Sequence, residues 1–159
     1  MHLVDSHVHL DFPSYDADRA EILRASYAAG VRTLLAIGIG DGPHQMHRAL
    51  DLAREFSGRP GTPAIYASAG IHPQEALTAD AAALARLNTL AHEEKIIAIG
   101  EIGLDYYHAG NPPIAVQQAA FIAQMHIAAA ARLPILLHIS PQCLLFLSAC
   151  RHVLRRNQC

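Results

Sequence analysis

Short apolar runs recur along the chain, and each of the first four is followed by a longer segment with helical spacing of its apolar residues. The runs cover residues 3–8, 31–37, 65–69, 96–99 and 135–137. Their continuous, partly β-branched character is typical of strands that are buried on both faces. This βα order predicts an α/β fold with a parallel sheet, either a closed barrel or an open doubly wound sheet.

The length of the chain limits which of these folds it can complete. A full (β/α)₈ barrel typically needs about 250 residues, whereas this chain has 159. Roughly half of the required βα units are therefore present. Either the barrel is partial or the fold is a different one.

The first apolar run leads into two histidines with one residue between them, His7 and His9. This spacing places both imidazoles on the same side of a strand, so that two neutral nitrogens can converge on one metal ion. The alternative is a pair of strand-edge histidines that bond to water or backbone. At the carboxyl end of a barrel strand the pair would lie on the face where such folds place their chemistry.

Three more residues of this kind follow later apolar runs. Glu101 follows the run 96–99 after one glycine, and His138 comes directly after 135–137. A carboxylate among apolar neighbours is costly unless it binds something, although Glu101 could also cap a turn. His72 follows the third run and precedes Pro73, which favours an extended backbone at His72. That histidine could contact substrate or shape the loop.

The remaining histidines lie at the start of the chain, on predicted helices or in loops, and are interpreted as surface or packing residues. They are His2, His44, His47, His92, His108, His126 and His152.

The net charge and hydropathy of the chain limit how it can interact with nucleic acid and with membranes. The net charge of −2 and pI of about 6.6 provide no overall basic field, so any contact with nucleic acid must be local. No uncharged apolar run long enough to span a membrane is expected, which predicts a soluble, cytoplasmic protein.

Cys143, Cys150 and Cys159 form no CxxC pair and are expected to be free thiols.

Four motifs, DSHVHLD, GIHP, GEIGLDYY and PILLH, occur in this order within residues 1–138. Together they resemble the TatD family of metal-dependent deoxyribonucleases, which belongs to the amidohydrolase-like barrels. The resemblance implies a partial (β/α)₈ TIM barrel of about the first four and a half βα units. It also implies two divalent metal ions, for which Mg²⁺, Mn²⁺ and Zn²⁺ all suit mixed imidazole and carboxylate ligands.

The resemblance further assigns roles to residues. His7 and His9 match the first-strand metal ligands, Glu101 the carboxylate shared by both metals, and His138 a ligand of the second metal. His72 matches the histidine that lines the substrate pocket. The implied activity is hydrolysis of DNA phosphodiester bonds by metal-activated water. The alternatives are a hydrolase of small esters, amides or aminoacyl ends, and a non-catalytic remnant.

The sequence departs from the family pattern after His138. The family continues with a polar residue and an arginine, and later supplies another histidine ligand and an acid–base aspartate. No acidic residue follows Asp105 here, so the catalytic aspartate has no candidate. Residues 139–159 are expected to be an atypical tail, either an amphipathic helix or a frame-shifted or truncated reading. Catalysis is then expected to be weak or absent.

A half-barrel also leaves the edges of its outer strands unpaired. Monomers are expected to aggregate or to pair, and a homodimer that closes two half-barrels is one alternative to plain truncation.

Overall fold

Five strands form one parallel sheet in the computed structural model, which describes residues 2–39, 42–140 and Cys143. The strands are β1 Leu3–Val8, β2 Val31–Ala36, β3 Ala64–Ala69, β4 Ile96–Leu104 and β5 Ile135–Ile139. Their order in the sheet follows the sequence, and every neighbouring pair is parallel. A doubly wound sheet would reverse its strand order. The described sheet is therefore an arc of a barrel, and the predicted partial (β/α)₈ fold is confirmed.

Four helices connect these strands. They are α1 Arg19–Ala28, α2 Arg48–Phe56, α3 Ala81–Leu90 and α4 Ile114–Ala131. Short 3₁₀ helices at Pro13–Tyr15 and Pro73–Thr78 follow β1 and β3. Helix α3 begins where Asp80 Oδ1 accepts a hydrogen bond from Ala83 N at 2.7 Å. Because these connections make all five strands parallel, the carboxyl ends of the strands face the same rim of the arc.

The hydrophobic core lies between the strands and the helices that cover them. Among its fully buried members are Leu50 of α2, Ile65 of β3, Ile99 of β4 and Phe121 of α4. β1 differs, because every residue from Leu3 to His7 is exposed. The expectation that all strands are buried on both faces is wrong for β1, which in the described structure has a neighbouring strand on one side only.

β4 continues past the apolar run that predicted it and includes Glu101 rather than ending before it. Two glycines allow this. A Cβ atom at Gly100 would lie 2.6 Å from Leu136 Cβ, and one at Gly103 would collide with the His138 carbonyl oxygen. Their φ angles of 153° and 151° are also unfavourable for other residues. Glycine disfavours strands in sequence patterns, but here it permits close contact with β5.

The length and composition of helix α4 contradict the expectation that no apolar segment is long enough to span a membrane. Its 18 residues, Ile114–Ala131, contain no Asp, Glu, Lys or Arg and are long and apolar enough to cross a membrane by length and composition. The same features occur in core helices of soluble proteins. α4 packs against β4, and two of its glutamines are buried and hydrogen-bonded to backbone.

These two glutamines connect α4 to the rim of the arc. Gln124 accepts a hydrogen bond from Ile71 N at 2.7 Å and donates one to Ile71 O at 3.1 Å. Gln117 likewise accepts from Asp105 N at 2.8 Å and donates to Asp105 O at 3.1 Å. Ile71 immediately precedes His72, so Gln124 fixes the backbone that carries this histidine.

Replacing Gln124 with Leu should therefore destabilise the fold. The change removes both partners of the buried Ile71 peptide groups, each of which costs about 1–3 kcal/mol when left unsatisfied. We expect a loss of about 2–4 kcal/mol in the free energy of unfolding, measured by urea denaturation. His126→Leu, at an exposed position on the same helix, is the control and should change stability by less than about 0.5 kcal/mol. Equal stability of the two variants would contradict this role of Gln124.

Candidate metal centre

All five residues singled out from the sequence lie at the same rim of the arc. His7 lies near the end of β1 and His9 follows it, while Glu101 and His138 belong to β4 and β5. His72 caps the 3₁₀ helix after β3. The parallel arrangement brings these side chains together because each comes from the carboxyl half of a strand or the loop after it.

One donor group consists of His7, His9 and Glu101, whose ligand atoms lie within 4.8 Å of one another. Glu101 Oε2 is 3.6 Å from His7 Nε2 and 4.0 Å from His9 Nε2. Two ligands bound to one tetrahedral zinc ion are about 3.4 Å apart. Small rotations of these three side chains would thus bring their ligand atoms to the spacing that a divalent cation requires.

Buried atoms around His9 support this interpretation. Among the described residues, His9 Nδ1 and Asp11 Oδ1 are buried side-chain atoms without a hydrogen-bond partner. Coordination through His9 Nε2 would leave the proton on Nδ1, where it needs a hydrogen-bond acceptor. Asp11 interacts electrostatically with His9, and burial raises the pKa of its carboxyl group. The residues around this position therefore suit a metal-bound imidazole.

A second donor group consists of His72, Glu101 and His138, again with ligand atoms within 4.8 Å of one another. Glu101 Oε1 is 3.1 Å from His138 Nδ1. The two carboxylate oxygens of Glu101 thus face different histidines, Oε2 toward β1 and Oε1 toward β5. This is the geometry expected of a carboxylate that bridges two cations.

His72 has the features of a hydrogen-bond donor to a ligand. Its Nδ1 accepts a hydrogen bond from Gln74 N at 3.3 Å, which places the proton of the neutral ring on Nε2. Burial, together with the nearby His138, lowers the pKa of His72 to about 4. Binding a metal through Nε2 would require that proton to move and the Gln74 bond to break. The neutral ring is therefore better suited to donate from Nε2.

Two residues near this rim were not assigned a site role from the sequence. Asp105 is 1% exposed, and its Oδ2 lies 2.6 Å from His108 Nδ1 and 3.8 Å from His138 Nε2. A charged residue directly after a buried strand was the signal that identified Glu101, and it applies equally to Asp105. His108 has no such signal, because its loop position resembles that of any surface histidine.

Comparison with known proteins decides the family. Residues 4–157 match the family model described as TatD related DNase. The chain belongs to this family. Both the strand order and the motifs at the strand ends agree with that assignment.

Several curated relatives align with most of the chain. The protein named uncharacterized metal-dependent hydrolase YabD of Bacillus subtilis is 35% identical over 136 residues, covering 86% of this chain and 50% of its own length. The protein named 3′-5′ ssDNA/RNA exonuclease TatD of Cronobacter turicensis is also 35% identical, over 86% of this chain and 48% of its own length. The chain thus spans about half the length of these relatives.

Solved TatD structures share the fold. The crystal structure of YjjV, a TatD homologue from Escherichia coli, superposes with a TM-score of 0.80 at 28% identity and covers 97% of this chain and 57% of its own. A TatD family hydrolase from Entamoeba histolytica gives a TM-score of 0.81 at 19% identity, over 99% of this chain and 56% of its own. The second comparison supports the fold alone.

Removing the Glu101 carboxylate should weaken metal binding more than any other single change. Loss of a side chain that merely supports a ligand costs about 10–100-fold in metal affinity. Glu101→Gln removes the carboxylate that both donor groups share, so we expect at least a hundredfold loss of affinity for Zn²⁺ or Mn²⁺ by calorimetric titration. Glu94→Gln, an exposed acid before β4, is the matched control and should leave affinity unchanged. Unchanged affinity in Glu101→Gln would exclude the centre.

The protonation of His72 can be tested in the metal-free protein. Because its pKa is lowered to about 4, the ring should stay neutral at pH 6, where an ordinary histidine with a pKa near 6.5 is largely charged. Nitrogen-15 NMR of the imidazoles after chelation should show the Nε2–H tautomer at pH 6. A His72 signal that titrates near pH 6.5 would contradict both the burial of this side chain and the assignment of its proton to Nε2.

Proposed function

We propose that the chain carries the metal-binding half of a nuclease that hydrolyses phosphodiester bonds of single-stranded nucleic acid, with DNA as the substrate. The observation that supports this most is the position of Glu101, whose two oxygens face His7 and His9 on one side and His138 on the other. A carboxylate between two sets of imidazoles at the carboxyl ends of barrel strands is an arrangement that suits two-metal hydrolysis.

Each donor group has a defined part in this proposal. His7, His9 and Glu101 would hold one divalent cation, and Glu101 and His138 a second. Bound there, the cations supply Lewis acidity that lowers the pKa of water and stabilises the departing oxygen. His72 would donate its Nε2 proton to an oxygen of the substrate, and its ring lies 4.3 Å from that of His138.

The substrate is inferred from charge and from relatives. Two relatives, in Cronobacter and in Escherichia coli, are named 3′-5′ ssDNA/RNA exonuclease TatD. The net charge of −2 gives this chain no broad attraction for nucleic acid, so binding depends on contacts at the rim. We place the protein in the cytoplasm, where single-stranded ends would be accessible. The homodimer that would close two half-barrels stays a prediction.

The rate of hydrolysis should be low for this chain alone. The acid–base aspartate that the resemblance implies has no counterpart, since no acid follows Asp105. A positioned acid or base typically contributes 10²–10⁴-fold to the rate. We therefore expect slow cleavage that depends on the metal ligands.

A 5′-labelled single-stranded oligonucleotide tests this function at high protein concentration with Mn²⁺. We expect slow shortening from the 3′ end that stops with chelator. His7→Ala and Glu101→Ala should lower the rate at least a hundredfold, by loss of metal binding. His92→Ala, at an exposed position before β4, is the control and should retain full activity.

A missing cleavage product, or cleavage that survives in Glu101→Ala, would overturn the nuclease proposal. Parallel assays with p-nitrophenyl acetate detect the alternative esterase. Metal-dependent ester hydrolysis without any cleavage of DNA would assign the site to small-molecule substrates.

A further inference from the structure

We propose that His108, held in place by Asp105, is a substrate-contacting residue that binds a phosphate group of the nucleic-acid strand beside the metal centre. This inference rests on the proposed nuclease function. It assigns a specific role to a histidine that the sequence pattern placed among surface or packing residues.

Asp105 is a buried carboxylate with an unusual number of donors. Its Oδ1 accepts hydrogen bonds from Tyr107 N at 3.1 Å and His108 N at 3.4 Å. Its Oδ2 accepts from Gln74 Nε2 at 3.2 Å and His108 Nδ1 at 2.6 Å. These four donors are all directed at one buried side chain and hold its carboxylate in a fixed position.

His108 is held at one ring nitrogen and exposed elsewhere. Its side chain is 57% exposed although Nδ1 is engaged by Asp105. Within the part of the chain that the structure describes, His108 Nε2 has no hydrogen bond or ion pair. With Nδ1–H directed at Asp105, Nε2 is the nitrogen of this oriented and largely exposed imidazole that is available to a ligand.

The position of this imidazole connects it to the metal centre. Asp105 Oδ2 contacts His108 Nδ1 at 2.6 Å and lies 3.8 Å from His138 Nε2. Both imidazole nitrogens therefore lie near one carboxylate oxygen, and their separation cannot exceed the sum of these distances. A strand with one phosphate at the metal centre would bring a neighbouring phosphate close to His108.

An ordinary surface ion pair does not account for these features. His47, which precedes α2, forms such a pair with Asp51 of that helix, where the atoms are 3.6 Å apart and both side chains are about half exposed. Asp105, by contrast, is 1% exposed and has three other donors. The Asp105 carboxylate instead orients an exposed imidazole, and a protonated ring in this position donates from Nε2 to phosphate oxygens.

Two substitutions distinguish the roles of the two ring nitrogens of His108. His108→Asn retains an amide nitrogen near the position of Nδ1 and can still bond to Asp105, but it has no atom near Nε2. His108→Gln places an amide nitrogen near Nε2. His92→Asn is the matched control, because His92 is also exposed but lies at the opposite end of β4.

We would measure binding of a single-stranded oligonucleotide by fluorescence anisotropy at pH 6.5 with saturating Mn²⁺, over a range of salt concentrations. His108→Asn should weaken binding about tenfold, as a charge-assisted hydrogen bond is lost. The slope of log affinity against log salt should fall by up to about 0.7, which corresponds to one phosphate contact. His108→Gln should recover part of the affinity but not the slope.

Metal affinity and thermal stability should be the same in His108→Asn as in the unaltered protein. If the unaltered protein binds the oligonucleotide and His108→Asn binds it equally well with the same salt slope, the inference is overturned while the nuclease proposal stands. If the unaltered protein neither binds nor cleaves the oligonucleotide, both are overturned.

Discussion

One carboxylate connects the two halves of the candidate centre. Glu101 Oε2 faces the histidines of the first strand, and Oε1 faces His138 on the fifth. This requires β4 and β5 to lie very close together, which Gly100 and Gly103 permit because neither has a Cβ atom to collide with β5. The local backbone of β4 therefore determines whether Glu101 can face both groups of histidines.

Helix α4 holds the other side of the rim through polar contacts in an apolar setting. Gln124 binds the peptide groups of Ile71, next to His72, and Gln117 binds those of Asp105. Buried amides that satisfy backbone groups are stabilising only when both partners are present. The helix therefore fixes the rim positions of His72 and of the Asp105–His108 pair, while His7 remains 47% exposed at the open edge of the arc.

The sequence was sufficient for the strand order and for predicting that the candidate ligands lie together at the strand ends. Apolar runs separated by helical segments predict a parallel sheet, and its carboxyl ends must meet at one rim. The sequence pattern could not predict features that depend on contacts between residues distant in the chain. Glycine usually ends a strand, so the extension of β4 could not be inferred without the approach of β5. Likewise, nothing local to His108 reveals that its partner Asp105 is buried beside His138.

The spacing of bound metal ions tests the bridging role of Glu101 most directly. Electron paramagnetic resonance of the Mn²⁺-loaded protein, with X-ray absorption of the Zn²⁺ form, measures both the number of ions and their separation. A shared Glu101 predicts two ions about 3.5–4 Å apart, seen as a spin-coupled Mn²⁺ pair. A single isolated ion, or two uncoupled ions, would contradict the bridging role of Glu101.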